Sequence, residues 1–125
     1  MGDAGAMNVL YGSAAGLQPT SPDDQLWNQD VTSVKDASEV GDAFGSSLTT
    51  GDFNNDGFAD VTVGVPLESV GAGAHAGAMN VLYGSATTLQ AASPDDQFWS
   101  QDTAGVRDAA EENDGFGALP PECFC

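Results

Sequence analysis

Between residues 52 and 60 the chain sets oxygen-bearing side chains at alternating positions: Asp52, Asn54, Asp56 and, further on, Asp60, with Gly57 at the sixth place. That spacing is what a hard cation requires. Ca²⁺ takes about six to eight oxygen ligands at roughly 2.3–2.6 Å. Alternate residues of a tight loop turn their side chains inward, and a glycine permits the sharp reversal. Asp52, Asn54, Asp56 and Asp60 are therefore the expected side-chain ligands, and Phe58 supplies its main-chain carbonyl. The twelfth place holds Val63, not the bidentate Glu that closes a helix-loop-helix site, and the residues leading to it are strand-like. The loop is thus expected to bend a β-hairpin. Mg²⁺ suits a loop of many protein oxygens less well than Ca²⁺ does. The competing reading is a solvated Asn/Asp turn without metal, but three carboxylates this close repel one another unless a cation lies between them. Few ligands and no closing glutamate predict weak binding, on the order of 10⁻⁴–10⁻³ M, as in extracellular modules.

The elements that hold this loop have the period of strands. Ala59–Pro66 alternates, with Val61, Val63 and Val65 on one face, and Ser46–Thr50 reads as the strand before the loop. Met7, Val9 and Tyr11 alternate with Asn8, Leu10 and Gly12, and Gln25–Val31 reads as another strand. Clusters such as Pro22-Asp23-Asp24 and Asn54-Asn55-Asp56-Gly57 supply turn chemistry between them. No stretch carries a helical apolar stripe, and 16 Gly disfavour helices. The class is all-β.

Comparison of the chain with itself decides the architecture. Gly5–Ala14 recurs as Gly77–Ala86, and across 5–45 against 77–117 there are 27 identities in 41 positions without a gap. Trp27, Gln29, Asp30, Val34, Asp36, Glu39, Asp42 and Phe44 return as Trp99, Gln101, Asp102, Val106, Asp108, Glu111, Asp114 and Phe116. After Gly117 the register is lost, so the sequence is expected to hold one full unit and two partial ones. Units of this length with four short strands fit the blades of a β-propeller. A β-solenoid, the alternative, has much shorter repeats.

Phe44-Gly45, then Gly51-Asp52-Phe53-Asn54-Asn55-Asp56-Gly57-Phe58-Ala59-Asp60-Val61, then Gly64-Val65-Pro66, resembles the FG-GAP repeat. Val65 stands where that repeat usually has Ala. The resemblance implies four-stranded antiparallel blades, as in the propeller of integrin α-subunits and of secreted bacterial proteins. It covers about residues 39–103 as one blade. Residues 1–38 would then be the last two strands of a preceding blade, and 104–125 the start of a further one with an irregular tail, an incomplete propeller. By resemblance Asp52, Asn54, Asp56, the Phe58 carbonyl and Asp60 match the family's Ca²⁺ ligands one by one.

The other conspicuous residues read as structure. Trp27 and Trp99, like Phe44 and Phe116, are expected in packing between blades, although a surface aromatic could serve as a binding platform. Asp23-Asp24 and Asp95-Asp96 could be drawn as paired catalytic carboxylates, but in Pro-led turns they are expected to be solvated. His75 has no Ser in a nucleophile elbow near it, and Ser13 falls one place too early for that pattern. No active site is expected, and the chain is read as not an enzyme. Cys123 and Cys125, one residue apart, are poorly spaced for a mutual disulfide. They read as a redox or intermolecular pair or as a tail without a role.

Nineteen acidic residues against two basic ones give a net charge of −17, which argues against nucleic acid or an anionic membrane as partner. The sequence shows no apolar run long enough for a transmembrane helix, no secretory signal and no lipidation signal. The acidity fits either a high-salt or extracellular setting or plain compositional bias. The resulting expectation is a non-catalytic Ca²⁺-binding module of an extracellular or cell-surface protein, presenting propeller loops for adhesion or recognition, with protein or glycan ligands as partners. Self-association through open blade edges is expected as well, since one blade cannot cover its own faces. The alternatives are an accessory propeller of a secreted esterase or phospholipase, and a truncated product without activity.

Overall fold

The computed structural model describes residues 4–20, 22–92 and 94–118. Cys123, Cys125 and most of the residues after Gly117 lie outside them. Among the described residues there is no helix, and every pairing between named strands is antiparallel. The strands are β1 (Met7–Val9), β2 (Tyr11–Ser13), β3 (Gly16–Gln18), β4 (Gln25–Trp27), β5 (Ser47–Gly51), β6 (Asp60–Val65), β7 (Ala78–Gly84), β8 (Leu89–Gln90) and β9 (Gln97–Trp99).

The central sheet runs β5-β6-β7, and the far edge of β7 is shared by β9 at Met79–Val81 and β8 at Tyr83–Gly84. Its middle strands are the most β-branched and apolar of the chain, which suits a pleated surface covered on both sides. Val63 and Val65 are fully buried and Val61 packs against the same cluster, so the face anticipated from alternation exists. β5 and β6 pair from Ser47↔Gly64 to Gly51↔Asp60, and residues 52–59 form the bend. The strand before the bend lies one residue later than the alternation placed it. The strand expected over Gln25–Val31 stops at Trp27, because Asn28 turns the chain: its carbonyl accepts the Val31 N–H at 3.2 Å and its Oδ1 the Asp30 N–H at 2.9 Å.

The first copy of the repeated unit builds the same pairings on a smaller scale. β1 pairs β4 with Met7 opposite Trp27, as β7 pairs β9 with Met79 opposite Trp99. β2 pairs β3 with Tyr11 opposite Gln18, as Tyr83 lies opposite Gln90. The two ends of each copy are also stitched together. Phe44 N–H donates to Ala4 carbonyl and Phe116 N–H to Ala76 carbonyl, both at 2.8 Å, within the parallel bridges Gly5↔Phe44 and Gly77↔Phe116.

The core lies between the first copy and the central sheet. Met7, Trp27, Val34 and Phe44 from the first meet Val63, Val65, Leu82, Leu89 and Ala91 of the larger sheet. The Met, Val, Leu and Phe side chains among them each contribute roughly 1.5–3 kcal/mol by leaving water. Polar side chains close the seam above it. The Tyr11 hydroxyl donates to Gln25 Oε1 and accepts the Leu89 N–H at 3.0 Å, while Gln25 Nε2 donates to the Leu89 carbonyl at 2.9 Å. Two side chains thus do for β8 what a neighbouring strand would. Trp27 and Phe44 occupy the packing expected of them, whereas Trp99 and Phe116 are only half-buried.

Candidate metal centre

The bend between β5 and β6 gathers the five sequence-predicted ligands into one loop. Its chain reversal rests on Asn55 and Gly57, both at positive φ (59° and 89°). Asp52 organises the interior: its Oδ1 accepts the Asp56 N–H at 3.0 Å and its Oδ2 the Gly57 N–H at 2.9 Å. Asp56 Oδ1 accepts the Phe58 N–H at 2.9 Å, and its Oδ2 accepts Asn54 Nδ2 at 3.1 Å. Asp52, Asn54, Asp56 and Phe58 are exposed, with the Phe58 ring on the surface.

Asp60 is different. It is fully buried at the first position of β6, where its Oδ2 accepts the Phe53 N–H at 2.7 Å and its Oδ1 the Gly84 N–H at 2.9 Å. One carboxylate therefore ties the start of the loop to the end of β7. Its charge, after the effect of burial, raises the pKa of the Tyr83 phenol above the ordinary value. The loop's donor set is entirely oxygen, the chemistry that suits Ca²⁺ rather than a nitrogen- or sulfur-seeking metal. Among the described residues no Lys or Arg pairs with Asp52, Asp56 or Asp60.

Acidic side chains converge elsewhere as well, in a place that no ligand-like spacing singles out. Oxygens of Glu39, Asp42 and Glu68 lie within 4.8 Å of one another. Glu68 is 1% exposed, and burial pushes its carboxyl up to about 8, against the opposing hydrogen bond from Gln29 and with Asp36, Asp42 and Glu39 adding to the rise. Burial raises Asp42 too, opposed by the Glu39 N–H that its Oδ2 accepts at 2.6 Å. The available signal was the exact return of Gln29, Glu39 and Asp42 as Gln101, Glu111 and Asp114. Glu68, by contrast, is 39 residues from Gln29 and has no such echo.

The acidic doublets divide. Asp23 and Asp24 are exposed, as turn residues should be. Asp96 is not: it is 1% exposed and accepts the Lys35 N–H at 2.8 Å and Lys35 Nζ at 3.3 Å, with Asp95 bonding the same ammonium at 2.7 Å. The expectation of a solvated turn fails there because a basic residue from the other copy arrives to pair with it. His75 is exposed in its loop at φ 54°.

An all-β chain of antiparallel, blade-like sheets with an Asp/Asn loop at the bend of its central hairpin is a module of propeller type. Residues 44–78 match the FG-GAP repeat family, so the chain carries an FG-GAP repeat. Over 99 residues it is 34% identical to phosphatidylinositol-glycan-specific phospholipase D of Rattus norvegicus and equally so to that of Mus musculus. The alignment covers 79% of this chain and 11% of each relative.

Proposed function

We propose that this chain is a non-catalytic, Ca²⁺-binding FG-GAP module of an extracellular or cell-surface protein, whose blade loops meet protein or glycan ligands. Residues 39–103 form one blade in this reading, with 1–38 ending the blade before and 104–125 opening the next. The observation that carries it is the loop itself. Asp52, Asn54, Asp56, Asp60 and the Phe58 carbonyl occupy the bend of a hairpin inside the matched repeat, and the loop has no basic partner among the described residues. A cation there relieves the repulsion and locks β5 to β6. Weak sites of this kind fill in the millimolar Ca²⁺ outside cells and stay empty in the cytosol.

Calorimetric titration with Ca²⁺ tests the assignment. D56A should bind one ion fewer than the parent chain, because Asp56 is exposed and holds only local contacts, so the fold survives its loss. An unchanged stoichiometry would remove the loop from the reading. Light scattering in millimolar Ca²⁺ and in chelator asks about the ring. β5 is paired on one side only among the described residues, so a discrete oligomer that dissociates on chelation is the expected outcome.

The phospholipase relatives favour a second reading, in which the module is an accessory propeller of a hydrolase. A reading frame that continues from this chain into a catalytic domain would select it. One that continues into further repeats alone would select adhesion.

A further inference from the structure

A second group of oxygens stands at the opposite end of the β5–β6 hairpin from the Asp52–Asp60 loop. Asp42 precedes β5 and Glu68 follows β6, and Glu39 joins them from the connection between β4 and β5. Asp42 and Glu68 are 3% and 1% exposed, while Glu39 faces solvent and leaves a way in. Buried carboxylates in contact are costly unless something positive lies between them.

An independent side chain points to what that is. Gln29, from the turn after β4, is 2% exposed and donates Nε2 to Glu68 Oε2 at 2.8 Å. Gln29 Oε1 and Glu68 Oε1 are then both buried with no hydrogen-bond partner among the described residues. With Glu68 ionised both are acceptors only, so neither can satisfy the other. Lys35 is committed to Asp95 and Asp96, and among the described residues no basic side chain pairs with Glu39, Asp42 or Glu68. A proton on Glu68 Oε1, donated to Gln29 Oε1, would satisfy both orphaned oxygens but leave the Asp42 and Glu39 charges beside each other unbalanced. A divalent cation satisfies both oxygens and balances two charges.

We propose that Gln29, Glu39, Asp42 and Glu68 form a second hard-cation site of the Ca²⁺ class, separate from the hairpin loop. It would clamp the turn after β4 and the two ends of the hairpin to one ion. The donors are carboxylate and amide oxygens, with no nitrogen or sulfur ligand to favour a transition metal. The arrangement is part of the repeat. Gln101, Glu111 and Asp114 return at the same offset, Glu111 N–H donates to Asp114 Oδ2 at 2.9 Å as Glu39 N–H does to Asp42, and Gln101 Oε1 is again buried without a partner among the described residues. Glu68 supplies the fourth ligand beside the first copy.

The test is a Ca²⁺ titration of the full chain by calorimetry, with thermal unfolding in Ca²⁺ and in chelator. E68Q keeps the shape of the side chain and introduces no charge, so it should fold in chelator. It should bind one Ca²⁺ fewer and lose part of the Ca²⁺-dependent rise in melting temperature. D52A/D56A, which disables the loop, should still bind one Ca²⁺ and still be stabilised by it, and adding E68Q should abolish both. An E68Q chain that binds as many ions as the parent overturns the site, as does a folded D52A/D56A chain indifferent to Ca²⁺. Loss on D52A/D56A alone leaves the loop assignment standing and removes this one. Should D52A/D56A not fold, the ion count of E68Q against the parent decides.

Discussion

The decapeptide Gly-Ala-Met-Asn-Val-Leu-Tyr-Gly-Ser-Ala occurs twice, at 5–14 and 77–86, and adopts two different structures. In the second copy it is one continuous strand, β7, held by β6 on one side and by β9 and β8 on the other. In the first it breaks at Leu10 into β1 and β2, each paired on one side only. Leu82 is fully buried where Leu10 is 47% exposed, and Asn80 is fully buried where Asn8 is exposed. Local propensity is identical by construction, so the difference is due entirely to what lies alongside. Strand continuity here is a property of the neighbours, as expected if β-propensity measures fit to a half-buried pleated surface.

Truncating the central leucine should expose that difference most. Leu82→Ala removes a side chain with no solvent contact from the main cluster and should cost about 2–5 kcal/mol. Leu10→Ala, the same chemical change in the same local sequence, should stay within about 0.5 kcal/mol. Denaturant midpoints measured side by side decide it. Equal losses would mean that the first copy is as enclosed as the second and that the packing between them is wrong.

Glycine gives the next largest contrast. A Cβ on Gly84 would stand 2.1 Å from the Ala59 carbonyl oxygen, in the backbone that leads into Asp60, whereas one on Gly12 meets nothing within 4 Å. Gly84→Ala must push the strand from the loop and should cost about 1–3 kcal/mol. It should also weaken Ca²⁺ binding, since Gly84 N–H is one of the two donors that fix Asp60. Gly12→Ala should be neutral or stabilising by about 0.4–1 kcal/mol, through the unfolded chain's lost freedom. A Gly84→Ala chain with parental melting and Ca²⁺ titration curves would show that the contact between β7 and the loop is slack.

What the sequence made readable followed from signals that are local or repeated. Val61, Val63 and Val65 declared a face by alternation, the Asp52–Asp60 loop declared itself by oxygen spacing, and the duplication exposed the blade pattern. The break at Leu10 could not be read, because its cause is a missing neighbour rather than a residue. The split of Asp96 from Asp24 was equally hidden: the two doublets are identical, and only the arrival of Lys35 from 61 residues away separates them. Glu68 stayed silent for the same reason. Its partner Gln29 reaches it from the first copy, 39 residues away, and a buried glutamate looks like any other until the fold closes over it.

The Lys35 clasp yields the smallest expected effect and the sharpest control. Lys35→Met keeps the aliphatic stem and removes the ammonium that binds Asp95, Asp96 and the Asp96 carbonyl, the last at 2.6 Å. The side chain is 43% exposed, so solvent screens the pair and the loss should be well below that of Leu82→Ala. Its pH signature is more telling than its size. The hydrogen bond from Lys35 holds the Asp95 carboxyl below the usual carboxylate range, and the Asp95 and Asp96 carboxylates, outweighing burial, hold the Lys35 ammonium above the usual lysine range. A depressed acid contributes stability above its unfolded pKa and loses it as the pH falls through the folded one. A raised base contributes below its unfolded pKa and loses it as the pH rises through the folded one. The gap between parent and Lys35→Met should therefore be widest from about pH 5 to 9 and narrow at both extremes, and it should shrink in high salt. Arg107, which takes the place of Lys35 in the second copy, makes no ion pair among the described residues, so Arg107→Met should leave the profile unchanged. If Arg107→Met reproduced the Lys35 profile, the charge would act through the field of an acidic chain rather than through its contacts, and the clasp would not be what joins the two copies.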